Sequence, residues 1–119
     1  TYPFRTWLDK GIPAPGSSDR PVVLGAPLLG IRASVCRKTE AGRVLAGEER
    51  VAPEEAIRMY TLNAAYASFE ENLKGSIEPG KLADFVVLAA DPCEVPADEI
   101  RNIRIEMTIV GGKVAYQAE

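Results

Sequence analysis

The strongest periodic signal in the chain runs from Pro53 to Glu70, where Ala56, Ile57, Tyr60, Ala64 and Ala67 recur at the spacing of one helical face. Pro53 suits a first helical turn, and Glu54 and Glu55 lie where the positive end of the helix dipole favours acids. The pattern predicts one helix over 53–70 with those five residues as its buried stripe. Upstream, Leu28, Leu29, Ile31, Ala33 and Val35 predict a short, mostly buried helix over 27–37, with Arg37 and Lys38 at its C-terminal end. Trp7, Leu8 and Ile12 read as a helix end followed by a brief strand, ahead of the punctuation Pro13-Ala14-Pro15-Gly16. Residues 17–22 and 39–50 are polar loops.

The second half changes period from helical to alternating. Arg104 to Val110 alternates polar and apolar, Gly111-Gly112 is a two-residue turn signal, and Lys113 to Gln117 supplies the return strand of a hairpin. Phe85 to Leu88 is a continuous apolar run and reads as a fully buried strand. It is preceded by Pro79-Gly80, a reversal in which proline presets φ and glycine accepts positive φ. Asp91-Pro92 and Val95-Pro96 mark a loop, and Glu99 to Asn102 fits one helical turn.

Composition narrows the partners. With 14 Lys and Arg against 17 Asp and Glu, the net charge of −3 offers no basic stripe for nucleic acid. Arg101 and Arg104 alternate with Glu99 and Glu106, as on a solvated face. No apolar run approaches the roughly 20 residues that cross a bilayer. The opening Thr1-Tyr2-Pro3-Phe4-Arg5 lacks the basic start and apolar core of a secretory signal, though targeting of a longer parent chain stays open; with reduced thiols, a cytoplasmic setting is expected. Cys36 and Cys93 are too few for a disulfide framework or a four-thiolate zinc site, and read as reduced, partly buried thiols.

Several candidate groups have ordinary readings. Lys81 and Asp84 suit a surface turn, and Glu70-Glu71 a solvated helix end. The glycines at 75, 80, 111 and 112 do not follow a strand and open a helix as a phosphate loop requires. Tyr60, Tyr66 and Phe69 have no basic company and read as core or interface rather than as a base-stacking platform.

Taken in order, the segments resemble the amidohydrolase superfamily, in particular the branch that includes N-substituted formamide deformylase. Gly16-Ser17-Ser18-Asp19-Arg20-Pro21-Val22 is similar to the loop that ends the eighth barrel strand in that family, with one extra serine. The helix from Pro27 looks like the last barrel helix, and Glu54 to Ala65 resembles the helix that follows. Gly75-Ser76-Ile77-Glu78-Pro79-Gly80-Lys81-Leu82-Ala83-Asp84-Phe85 and the terminal hairpin look like strands of the accompanying sandwich. The resemblance implies an incomplete α/β fold. Residues 1–70 would be the end of a TIM-like (β/α)₈ barrel, and 71–119 the C-terminal strands of a small β-sandwich.

It also implies a metal-dependent hydrolase acting on carbon–nitrogen bonds other than peptide bonds, with a small amide- or formamide-type substrate. The expected cofactor is a divalent metal, zinc, in a longer parent chain. Asp19 is the position matching the family's metal-facing aspartate, which takes a proton from water and passes it to the leaving nitrogen. Locally, an aspartate before Arg-Pro reads first as a turn former; the surrounding match favours the catalytic role. The family's remaining ligands include histidines, and this chain has none, so the isolated 119 residues are expected to bind no metal and to be inactive. No nucleic-acid or membrane partner is expected, and a homo-oligomer stays open. A reading of another class also stands: a metal-free binding or assembly module derived from the same fold.

Overall fold

The computed structural model describes residues 2–119; Thr1, the first residue of the 1–70 unit, lies outside the described residues. Four α-helices precede a three-stranded sheet: α1 (Phe4–Asp9), α2 (Pro27–Cys36), α3 (Pro53–Tyr60), α4 (Leu62–Ala67), β1 (Phe85–Leu88), β2 (Ile105–Val110) and β3 (Lys113–Gln117). A 3₁₀ turn at Gly47–Glu49 and a 3₁₀ helix at Ala97–Asn102 complete the elements. The core is formed by Ile31 of α2, Val51, Ala56 and Met59 of α3, and Ile100 of the 3₁₀ helix, with Phe4 and Leu8 of α1 packed against it.

Helix α2 occupies the expected span and stops at Arg37, whose φ of 53° places it in the left-handed region. Arg37 is buried, and its guanidinium lies 5.4 Å from the centre of the Phe4 ring. That cation–π contact ties the end of α2 to α1. α1 is further held by Glu49, which accepts from the Thr6 N–H at 2.9 Å and the Thr6 hydroxyl at 2.5 Å. These bonds favour the charged carboxylate and lower its pKa. Arg5 donates to both carboxylate oxygens of Glu55 at 2.8 and 2.7 Å, while Glu55 also accepts from the Ala52 N–H at the start of α3. Ala52 has no side-chain oxygen, so only the acidic half of a capping box forms there.

The single helix expected over 53–70 is two helices. Thr61 breaks it, with φ −123° and ψ −93°. The Thr61 hydroxyl donates to the Ile57 carbonyl at 2.9 Å, the kind of side-chain competition that bends helices. The break rotates the faces, and the buried residues are Ala56, Met59, Asn63 and Ala65. Of the five stripe positions, only Ala56 is fully buried; Ile57, Tyr60 and Ala64 are half-buried, and Ala67 is exposed. The chain ends this helical unit before residue 70, turning at Phe69 with φ 60°.

The sheet order is β1-β2-β3 and both pairings are antiparallel. Val110 pairs with Lys113, and Gly111 and Gly112 have φ of 56° and 77°, the two positive values a tight hairpin demands. Asp84 accepts from the Gly111 N–H at 2.8 Å, and the Gly112 N–H donates to the Ala83 carbonyl at 2.9 Å, so the approach to β1 locks the hairpin. The Lys81 N–H donates to the Glu78 carbonyl across Pro79-Gly80, with Gly80 at φ 93°. Strand β1 forms where expected but is not fully buried: Val86 and Val87 are exposed. Among the described residues one three-stranded sheet covers neither of its own faces. The brief strand expected at Ile12, ahead of Pro13, also does not form; residues 12–18 carry no ladder.

The two halves meet where the 3₁₀ helix packs on α2. Ile100 is 0 % exposed at that contact. Beside it, Asp98 accepts from Arg32 and Lys38, both at 2.8 Å, and Arg101 pairs with Glu40 at 2.9 Å. The Lys38 and Arg32 hydrogen bonds hold the Asp98 carboxyl well down, to about 2.

Candidate active-site loop

Asp19 is the first residue of a tight turn that follows residues 12–18. Its φ is 53°, a left-handed conformation that aspartate tolerates better than most residues. The Val22 N–H donates to the Asp19 carbonyl at 2.9 Å across the cis Arg20–Pro21 peptide, which gives a type VI turn. The Asp19 N–H donates to Ser17 Oγ at 3.2 Å. Backbone bonds thus shape the turn, and the Asp19 side chain stands exposed. Val22, Val23 and Leu24 follow it, also exposed.

Residues 14–17 are anchored on α3 and α4 by three bonds. The Asn63 side-chain amide donates to the Ala14 carbonyl at 3.1 Å, the Gly16 N–H donates to the Met59 carbonyl at 2.8 Å, and the Tyr60 hydroxyl donates to the Ser17 carbonyl at 3.3 Å. The Tyr60 ring is wedged between two glycines: a methyl group at Gly16 or at Gly30 would overlap it. Burial raises the Tyr60 pKa and keeps the hydroxyl a donor. A cavity of about 460 Å³ lies behind the loop, lined by Ser17, Ser18, Leu24, Tyr60, Arg32 and Arg101 among others.

Sequence reasoning placed Asp19 in a loop and took Tyr60 as core or interface, but missed Asn63. The available signal was an amide within Leu62-Asn63-Ala64-Ala65, an otherwise apolar helical run. Elsewhere the turn readings of Lys81 and Asp84 hold, whereas Glu70 and Glu71 lie beyond the end of α4 and are half-buried, with one Glu71 carboxylate oxygen buried and without a partner. Lys81 bonds Ser76 at 2.6 Å and Glu78 at 2.9 Å, Asp84 caps the hairpin, and Glu70 pairs with Lys74 at 2.6 Å. Cys36 and Cys93 are free thiols, and burial raises both, Cys93 to about 11. Among the described residues no three His, Cys, Asp or Glu side chains gather as a metal site, and no helix is long and apolar enough to cross a membrane. One carboxylate does not make a coordination shell, so these residues by themselves do not fit a bound metal.

The architecture has a counterpart among solved structures. An amidohydrolase from Thermotoga maritima MSB8 superimposes with a TM-score of 0.70 over 93% of this chain and 24% of its own, at 23% sequence identity, a likeness of fold. In sequence, residues 1–116 match the model of the amidohydrolase family named Amidohydro_3, and the chain belongs to that family. N-substituted formamide deformylase of Arthrobacter pascens is 38% identical over 98% of this chain. The YtcJ amidohydrolase of Bacillus subtilis (strain 168) is 33% identical, also over 98%. The chain spans about a fifth of the length of these relatives, 21% and 22%.

Proposed function

We propose that these residues are the C-terminal part of a metal-dependent hydrolase acting on carbon–nitrogen bonds other than peptide bonds, with N-substituted formamides or related small amides as substrates. The observation that carries this reading is the 38% identity to N-substituted formamide deformylase across 98% of the chain. In this reading residues 1–70 close the catalytic barrel and 71–119 belong to the β-sandwich, each completed by polypeptide outside the 119 residues. The exposed apolar residues of the sheet and of the Val22–Leu24 segment are consistent with faces that such polypeptide covers. The free thiols Cys36 and Cys93 fit a cytoplasmic setting for this proposal.

Asp19 is the group this chain contributes to the chemistry. An exposed carboxylate on a backbone-ordered turn can accept the proton of the attacking water and then deliver it to the departing nitrogen. A divalent metal, zinc in this proposal, would take its ligands largely from polypeptide outside these residues, with Asp19 as the one carboxylate this chain would offer it, and would supply an activated water.

The test is Asp19→Asn in the complete polypeptide. Asparagine retains the left-handed turn but removes the base. Turnover of N-substituted formamides should fall by at least about a hundredfold, the lower range for a positioned acid–base group, with thermal unfolding unchanged. Near-wild-type turnover with an unchanged melting profile would assign Asp19 to the turn alone and overturn the role.

A further inference from the structure

We infer that the break between α3 and α4 is a positioning device for the Asp19 turn, with Asn63 and Tyr60 as its positioning residues. This rests on the catalytic role proposed for Asp19. In an uninterrupted helix the Met59 carbonyl would accept from the N–H of residue 63. The departure of Thr61 from helical geometry coincides with a different use of that carbonyl, which receives the Gly16 N–H at 2.8 Å. On either side of this bond, two residues before Gly16 and one after it, the same helical junction grips the segment again. Asn63, buried, donates its side-chain amide to Ala14, and Tyr60 donates its hydroxyl to Ser17. Three bonds thus fix residues 14, 16 and 17, the last only two positions before Asp19, on a segment that has no strand ladder of its own among the described residues.

The steric fit works in the same direction. The Tyr60 ring occupies the space that side chains at Gly16 and Gly30 would take, so it sits between the Asp19 arm and α2. Ser17 in turn receives the Asp19 N–H on its hydroxyl. The chain of contacts runs from Asn63 and Tyr60 through residues 14–17 to the turn. None of these groups touches the reacting atoms; they set where the carboxylate stands. Displacement of about 1 Å at a reacting group is enough to cost up to about a hundredfold in rate.

The experiment is a double-mutant cycle in the complete polypeptide, read by kcat and KM on a panel of N-substituted formamides. Asn63→Ala should lower kcat by about tenfold or more while KM stays within about twofold. In an Asp19→Asn background the same change should alter kcat by less than about twofold, because the group it positions is already gone. Tyr60→Phe, which keeps the ring between the two glycines and removes only the hydroxyl bond, should show the same pattern with a smaller loss, and decides the matter if Asn63→Ala does not fold. Equal losses in both backgrounds, or none in either, would overturn the positioning role while leaving that of Asp19 intact. An Asp19→Asn enzyme with full turnover would overturn both, since nothing would remain to position.

Discussion

Ile100 is the buried apolar residue through which the 3₁₀ helix of the C-terminal half joins the helical core, at 0 % exposure. Truncating it to alanine removes three carbons from a site enclosed by α2 and its neighbours. Buried Ile-to-Ala changes cost about 2–5 kcal/mol, from lost transfer free energy plus the cavity left behind. The charged contacts beside it will not compensate: the Asp98 carboxylate that Arg32 and Lys38 share is about half exposed, where solvent screening leaves ion pairs weak. The chain has one tryptophan, Trp7 in α1, a helix that packs on the same core from the other end of the sequence. Urea unfolding should therefore be followed by both Trp7 fluorescence and far-ultraviolet circular dichroism. Ile100→Ala should lower the midpoint seen by both probes together, by an amount equivalent to at least about 2 kcal/mol, and Ile100→Val by about 0.5–1.5 kcal/mol. A loss below about 0.5 kcal/mol, typical of a surface site, would refute the claim that Ile100 is a core contact. A shift in dichroism with Trp7 unmoved would refute the claim that the two halves share one core.

Acid titration should expose the Asp98 cluster. Because its carboxyl is held down to about 2 by Lys38 and Arg32, its stabilising contribution is present above the ordinary aspartate range and is lost as pH falls from about 4 toward 2. Asp98→Asn should flatten that part of the stability curve, and an unchanged curve would exclude the cluster as its source. The isolated 119 residues should show no stoichiometric submicromolar zinc site by calorimetric titration, since their donors do not gather among the described residues; such a site would contradict this. The isolated chain should also self-associate or bind a hydrophobic dye, given Phe69, Ile77 and Leu24 at 92, 82 and 77 % exposure. A dye-silent, sharply melting monomer would favour a self-sufficient module instead.

Local signals in the sequence were enough for the elements whose geometry is local. Pro27 and Pro53 open their helices, Gly111-Gly112 makes the hairpin, and Pro79-Gly80 makes the reversal, because each depends on backbone preferences of the residues themselves. The ordered series of short family-like segments likewise marked the amidohydrolase relationship. Tertiary structure decided the rest. The helical period through residues 53–70 carries no warning that Thr61 turns its hydroxyl on Ile57, or that Met59 binds Gly16 rather than its own helix. The apolar run of β1 predicts burial, but burial depends on a second layer, which one three-stranded sheet does not supply to itself. Asn63 is the sharpest case: in sequence it is a polar residue in an apolar helix, and only the approach of Ala14, 49 positions away, gives its amide an acceptor. A hydrogen bond between distant segments is set by how the elements pack, and no local pattern encodes that.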